Sequence, residues 1–201
     1  MSMTDQRRLA HRLSGTAPDE ALAVARKIKD AWFRCQALSQ VARYWPHGDY
    51  HRLLKEALAA ANSQDDVYKQ VTVSAWPIRA YLERGNPSSA KSIVEKCAEA
   101  ASSIENMGSR SEALFMVFQA AKPGAADLWK PAFWALVKAT EPALAWRQRR
   151  NIRDAIAMVA GDDPQLVQTA LSKLTDVKII SAIKCDVEND RRAQPRSFFW
   201  V

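Results

Sequence analysis

Glycine, histidine and cysteine are scarce in this sequence of 201 residues, which has six Gly, three His and three Cys. The glycines stand singly, so the glycine-rich loops of P-loop and dinucleotide-binding proteins are absent. A nucleophile elbow of the Gly-x-Ser-x-Gly type is also missing. Three isolated cysteines, Cys35, Cys97 and Cys185, fit neither a disulfide framework nor a zinc pattern. They predict buried, reduced thiols in a cytoplasmic protein.

Long apolar runs are lacking as well. No uninterrupted apolar stretch approaches the 18 or more residues of a membrane span, and the N-terminus has no apolar signal core. We therefore expect no membrane association. The net charge of +7 divides into +4 for residues 1–100 and +3 for residues 101–201. The surplus suggests an acidic partner, but its even division differs from a basic tail beside an acidic body.

The few glycines mark a regular interval. Gly15, Gly48, Gly85, Gly124 and Gly161 each stand close to a proline, and they are separated by 33, 37, 39 and 37 residues. Near-constant spacing of turn residues is the mark of a repeat array. This spacing predicts five units of nearly equal length.

Each unit has the apolar pattern of a helical hairpin. Three of the second helices share a small residue, a large apolar residue and, three positions on, valine followed by an apolar residue. These segments are 37–42, 113–118 and 155–160. Alanine lets neighbouring helices approach closely, and stacked hairpins can bury faces that one hairpin leaves exposed.

On this period and patterning, the sequence resembles the α-solenoid superfamily of HEAT-like and tetratricopeptide-like repeats. It lacks the Trp-x-x-Leu-Gly-x-x-Tyr signature of the tetratricopeptide consensus. The resemblance implies an all-α, right-handed α-solenoid of about five antiparallel hairpins in one domain, residues 1–190, with an extra N-terminal helix around 3–13. The predicted units are 17–45, 49–84, 87–121, 125–160 and 163–188, and a tail follows at 191–201. Pro77 predicts a kink or helix restart within the second unit.

Two groups of residues offer chemistry, and for both we favour a structural interpretation. His47 and His51 flank Asp49 with the spacing of a metal site, but Pro46 and Gly48 place His47 in a turn. We interpret this segment as a helix start with Asp49 at its N-cap. The carboxylate pairs 65–66 and 162–163 also lie at predicted helix starts, where negative charge is favoured. We therefore expect no metal, no cofactor and no catalysis.

Tryptophan is abundant, with seven residues. Trp32, Trp76 and Trp134 lie on predicted inward faces. A second group, Trp45, Trp129 and Trp146, lies near helix ends, where the side chains could line a concave surface.

Arginines follow Trp146 on one predicted helix, opposite its apolar stripe; they are Arg147, Arg149, Arg150 and Arg153. Asp154 offers Arg150 a local partner, which predicts that several of the others are unpaired. Such arginines, beside an aromatic ring, suit an acidic protein surface or phosphates. A solvated helix face is the structural alternative.

The tail ends in the aromatic residues Phe198, Phe199 and Trp200, which would be costly to leave in water. It either covers the last hairpin or inserts into a neighbouring molecule, which makes self-association an alternative to capping. The leading hypothesis for the whole chain is a non-catalytic module that binds a protein or peptide. The alternative is a nucleic-acid-binding HEAT-like protein with a basic helix face, a class that includes DNA glycosylases.

Overall fold

The described part of the chain is entirely helical, without strands. A computed structural model of the protein describes residues 2–141 and 145–189. Its helices are α1 (Met3–Leu13), α2 (Pro18–Lys27), α3 (Ala31–Tyr44), α4 (Tyr50–Asn62), α5 (Val67–Val73), α6 (Ala75–Glu83), α7 (Pro87–Ala100), α8 (Met107–Ala121), α9 (Ala126–Ala139), α10 (Trp146–Val159), α11 (Pro164–Leu171) and α12 (Val177–Glu188), with a short 3₁₀ turn at Ala101–Ser103.

The helices begin where the sequence places prolines and short polar side chains. Pro18, Pro87 and Pro164 each occupy a first helical position, where the missing N–H would have no partner in any case. Asp66 and Asp163 cap α5 and α11, accepting hydrogen bonds from the backbone N–H of Lys69 (2.7 Å) and Leu166 (2.9 Å). The helix-start interpretation of the two carboxylate pairs is thereby confirmed.

Proline also explains the division of one predicted helix into two. Pro77 lies in the first turn of α6, and Ser74 separates α5 from α6, so the restart predicted here is confirmed. Pro77 cannot donate to the carbonyl of Val73 four residues earlier. The thiol of Cys35 on α3 donates to that carbonyl instead, at 3.6 Å. A buried cysteine therefore compensates for the bond that the proline removes.

The helices contact one another in chain order. One series is formed by α3, α6, α8, α10 and α12, in which each helix packs against the next. Helices α7 and α9 pack together, and the contacts of α3 with α4, α6 with α7 and α8 with α9 join successive helix pairs. Helix α1 packs on α2 and α3. Spatial neighbours are thus drawn mainly from adjacent segments of the sequence.

The aromatic side chains are mostly buried, which corrects one prediction. Phe118 of α8 lies 5.9 Å from Trp129 and 5.7 Å from Phe133 between ring centroids, at the centre of the core. Trp45 and Trp129 are buried, so the expectation that they line a concave surface is wrong. Trp129 packs against Phe118 and Phe133, and Trp45 belongs to the same buried core cluster. Trp76 is buried as predicted, and the partly buried Trp32 and Trp134 pack against the core.

Two cysteines are buried, and the third corrects the prediction. Cys35 and Cys97 are buried and reduced, whereas Cys185 is exposed on α12. Burial raises the pKa of the Cys97 thiol to about 12 and raises that of Cys35 as well. Both buried thiols are therefore protonated at neutral pH, so they do not react as thiolates.

The histidine segment starts a helix, although its cap differs from the expected one. His47 precedes α4, and Asp49 occupies the N-cap position without capping through its side chain. Its carboxylate accepts the indole N–H of Trp45 at 2.7 Å and pairs with Arg52 at 3.1 Å. Within residues 2–141 and 145–189, no group of three or more His, Cys, Asp or Glu is arranged to hold a metal ion. In the same ranges, no helix combines the length and apolarity needed to cross a membrane.

Candidate functional site

Helix α10 has one buried face and one charged face, as its sequence predicts. The apolar stripe of Ile152, Ala155, Ile156 and Val159 is fully buried. On the opposite side the arginines at positions 147, 149 and 150 are exposed, and Arg153 is half-buried. Burial of the stripe against the helices around α10 fixes which side chains face outward.

The first turn of α10 is held by a buried glutamine. The side-chain oxygen of Gln148 accepts the backbone N–H of Ala145 at 2.9 Å, which replaces a conventional N-cap. Its amide nitrogen donates to the carbonyl of Ala139 at the end of α9, also at 2.9 Å. These bonds fix the position of Ala145, and Trp146 follows it as the first residue of α10.

Trp146 is the exposed one among the tryptophans that the structure describes, with 63% of its surface accessible. Two guanidinium groups flank its ring. The Cζ atom of Arg150 lies 4.8 Å from the ring centroid, and that of Arg147 lies 5.7 Å away. Such cation–π contacts hold an aromatic side chain in place while its remaining surface stays accessible.

Arg150 is not paired as the sequence predicts. Its guanidinium contacts Glu112 of α8 at 3.2 Å rather than the local candidate Asp154. Glu112 also accepts a hydrogen bond from Asn151 at 3.1 Å, and Asn151 donates to the buried Ser111 hydroxyl at 3.1 Å. A polar cluster therefore joins α8 to α10 directly beneath Trp146.

Two further arginines pair with carboxylates of α12, which corrects the expectation that they are unpaired. Arg149 lies 3.6 Å from Asp176, the N-cap residue of that helix. Arg153 donates two hydrogen bonds to Asp186, at 2.8 and 3.0 Å. This bidentate pairing raises the pKa of Arg153. Both carboxylates belong to the segment of α12, outside α10, so local spacing on α10 could not identify them.

Arg147 differs from the other three, since no carboxylate of the described residues contacts it. Its Cδ atom would lie 3.9 Å from a Cβ added to Gly108, so the side chain passes over the start of α8. Its positive charge also affects the pKa of the Tyr68 phenol on α5. Burial and Glu112 raise the pKa of that phenol, while Arg147 opposes the shift. Together, Trp146 and Arg147 form a surface, the Trp146 patch, that combines an exposed aromatic ring with an uncompensated guanidinium.

One signal in the sequence could have found the hidden partners. Glu112 precedes Arg150 by 38 residues, and Ser111 precedes Asn151 by 40, close to the interval between the turn glycines. A search for opposite charges one unit apart would have paired Glu112 with Arg150. The predicted tail residues Phe198, Phe199 and Trp200 lie outside the described residues.

Comparison with protein-family models, with curated proteins and with solved structures gave no match for this chain.

Proposed function

We propose that the chain is a non-catalytic binding module built as a right-handed α-solenoid of about five antiparallel hairpins, with α1 as an additional N-terminal helix. The helix bounds and the serial packing of α3, α6, α8, α10 and α12 support this arrangement. Side-chain contacts one unit apart support it too. Arg43 pairs with Glu83 across 40 residues, and Lys122 pairs with Asp162 at 2.6 Å across another 40.

The proposed ligand is an acidic segment of a protein or peptide, bound at the Trp146 patch. The supporting observation is a tryptophan that is 63% exposed and lies close to two guanidinium groups. Tryptophan and arginine are the residues most enriched at interface hot spots. A partner would bury the indole face, and its carboxylate would take the open position beside Arg147.

The pairing of the other arginines favours a protein over nucleic acid at this patch. Arg149, Arg150 and Arg153 each contact a carboxylate, so their charge is largely compensated within the chain. A cation that a carboxylate already neutralises contributes little to phosphate binding. Nucleic acid is therefore the alternative outcome of the test at this patch. The cytoplasmic location stays a prediction that rests on the cysteines.

The test compares partner capture by the wild-type chain with capture by Trp146→Ala and Arg147→Gln. Both changes lie on the surface, and Arg12→Gln on α1 removes an exposed charge elsewhere as the matched control. We expect one protein to be retained by the wild type and the control, with affinity about 30-fold lower for Trp146→Ala. Equal retention by all four proteins would contradict the proposal. Retention that nuclease abolishes would assign the patch to nucleic acid.

Self-association through the tail is a separate proposal with its own test. Truncation after Arg196 removes Phe198, Phe199 and Trp200. A smaller species in analytical ultracentrifugation would support insertion into a neighbouring molecule, whereas a lower melting temperature at unchanged size would support capping of the last hairpin. If neither quantity changes, both interpretations of the tail are wrong.

A further inference from the structure

A second aromatic and cationic surface surrounds the turn between α3 and α4. We call it the α3–α4 surface; it comprises Tyr44, His47, Tyr50, His51 and Arg84. The adjacent Tyr81 packs beneath it, with its ring centroid 5.8 Å from that of His51. Three of the four tyrosines and two of the three histidines of the chain therefore lie together. None of them belongs to the Trp146 patch.

The centre of this surface is a pre-stacked set of planar groups. The rings of Tyr50 and His51 stack with centroids 4.0 Å apart and planes inclined by 29°. The guanidinium of Arg84 lies 4.4 Å from the Tyr50 centroid. Arg84 also donates to the backbone carbonyl of Arg43 at 3.3 Å, which links the end of α6 to the end of α3. Arg84 and His51 both contact the Tyr50 ring, so the stack is part of the folded chain itself.

Two accessible rings border the stack. Tyr44 is 49% exposed, and the guanidinium of Arg43 lies 5.2 Å from its centroid. His47 is exposed and packs edge-on against Trp45, with centroids 5.5 Å apart. Because Asp49 accepts the indole N–H of Trp45 at 2.7 Å, the support beneath His47 is fixed. Tyr44 and His47 thus offer ring faces to a flat ligand.

The charge around these rings is unbalanced. Glu83 pairs with both Arg43 and Arg79, and Asp49 pairs with Arg52 at 3.1 Å. Arg84 has no carboxylate contact among the described residues, so this linked set holds four guanidinium groups and two carboxylates. Arg52 is well exposed, with 58% of its side chain accessible. The surface therefore combines ring faces with a local positive surplus.

We propose that the α3–α4 surface binds single-stranded nucleic acid, with bases stacked on Tyr44 and His47 and a phosphate beside Arg84. Unpaired bases present the planar faces that exposed rings accept, and the backbone supplies the anions. A duplex hides its base faces, and an acidic peptide would leave the two rings without planar partners. This site lies apart from the Trp146 patch and does not depend on the function proposed there.

The experiment measures binding of a fluorescent oligothymidylate across a salt series. Tyr44→Ala should weaken binding by about 5- to 100-fold while leaving the salt slope unchanged, because it removes a stacked base and no charge. Arg84→Gln should reduce the slope of log affinity against log salt by about 0.7, because it removes one phosphate contact. His47→Ala provides a second stacking variant.

Two control variants separate this proposal from its alternatives. Lys184→Gln removes an exposed charge on α12 and should leave the slope unchanged, while Trp146→Ala should leave oligonucleotide affinity unchanged. The proposal is overturned if the oligonucleotide fails to bind at low salt, or if Trp146→Ala weakens binding more than Tyr44→Ala does. Displacement by poly-glutamate at lower concentrations than by unlabelled oligothymidylate would assign the surface to an acidic peptide instead.

Discussion

Helices α8 and α10 share a sequence pattern and pack against each other, yet they differ in exposure. Both contain the motif of a small residue, a large apolar residue and, three positions on, valine, in segments 113–118 and 155–160. Residues 113–121 of α8 are all buried, whereas α10 keeps a charged face outside. Helix α8 contacts α5, α6, α7, α9 and α10, so its polar side is covered as well as its apolar side. The motif identifies the buried face of each helix, and the packing of neighbouring helices determines whether the opposite face is exposed.

The largest expected loss of stability comes from truncating a buried side chain of α8. Phe118→Ala in α8 removes a fully buried ring that contacts Phe115, Trp129 and Phe133. We expect the free energy of unfolding to fall by about 3–5 kcal/mol, because the lost burial adds to the cost of a cavity. Urea unfolding followed by circular dichroism measures it. A loss below about 1 kcal/mol would mean that α8 is not the centre of the core.

A largely buried histidine, His11, adds an effect on stability that depends on pH. His11 of α1 has both ring nitrogens buried without hydrogen-bond partners. Burial, together with Arg7 and Arg43, lowers its pKa from 6.5 to about 4. Since the unfolded chain binds the proton more tightly, stability is full above pH 6.5 and declines as the pH falls toward 4. After allowance for partial exposure, we expect a loss of about 2–3 kcal/mol.

His11→Gln should remove most of this pH dependence, and Lys184→Gln, which changes an exposed residue of α12, serves as the control variant. Thermal unfolding between pH 4 and 7 is the measurement. Carboxylates contribute their own acid dependence, so the decisive quantity is the difference between the two variants. Identical pH profiles for both would show that His11 is not protected in the folded state.

The arginines of α10 provide a smaller and graded effect. Arg153 makes two hydrogen bonds to Asp186, whose side chain is only 12% exposed, while Arg149 lies 3.6 Å from Asp176. We expect Arg153→Gln to cost about 1.5 kcal/mol, because a largely buried carboxylate loses a charged, bidentate partner. Arg149→Gln should cost less than about 0.5 kcal/mol, as exposed pairs do. Equal costs in urea unfolding would contradict the grading.

The smallest effect is expected at the most exposed ring. Trp146→Ala should change the free energy of unfolding by less than about 0.5 kcal/mol, because little of the ring is buried in the folded chain. A loss comparable to that of Phe118→Ala would mean that Trp146 belongs to the core. Its proposed contribution to binding would then need another explanation.

Local features of the sequence account for the helices and most of their ends. Pro18, Pro87 and Pro164 start helices, Asp66 and Asp163 cap them, and Pro77 divides one, because these effects act within a single turn of the chain. The inward stripe of α10 was equally predictable, since helical periodicity alone specifies a face. The identity of the exposed charged face of that helix followed from the same period.

Which arginines are paired and which aromatic rings are exposed depends on the tertiary structure. Glu112, Asp176 and Asp186 contact the arginines of α10 from α8 and from the segment of α12. Trp45 and Trp129 are buried in the folded chain, whereas Trp146 is exposed. The physical reason is distance along the chain. Propensity and periodicity act over a few residues, whereas ion pairing and burial depend on how helices about 40 residues apart are packed together.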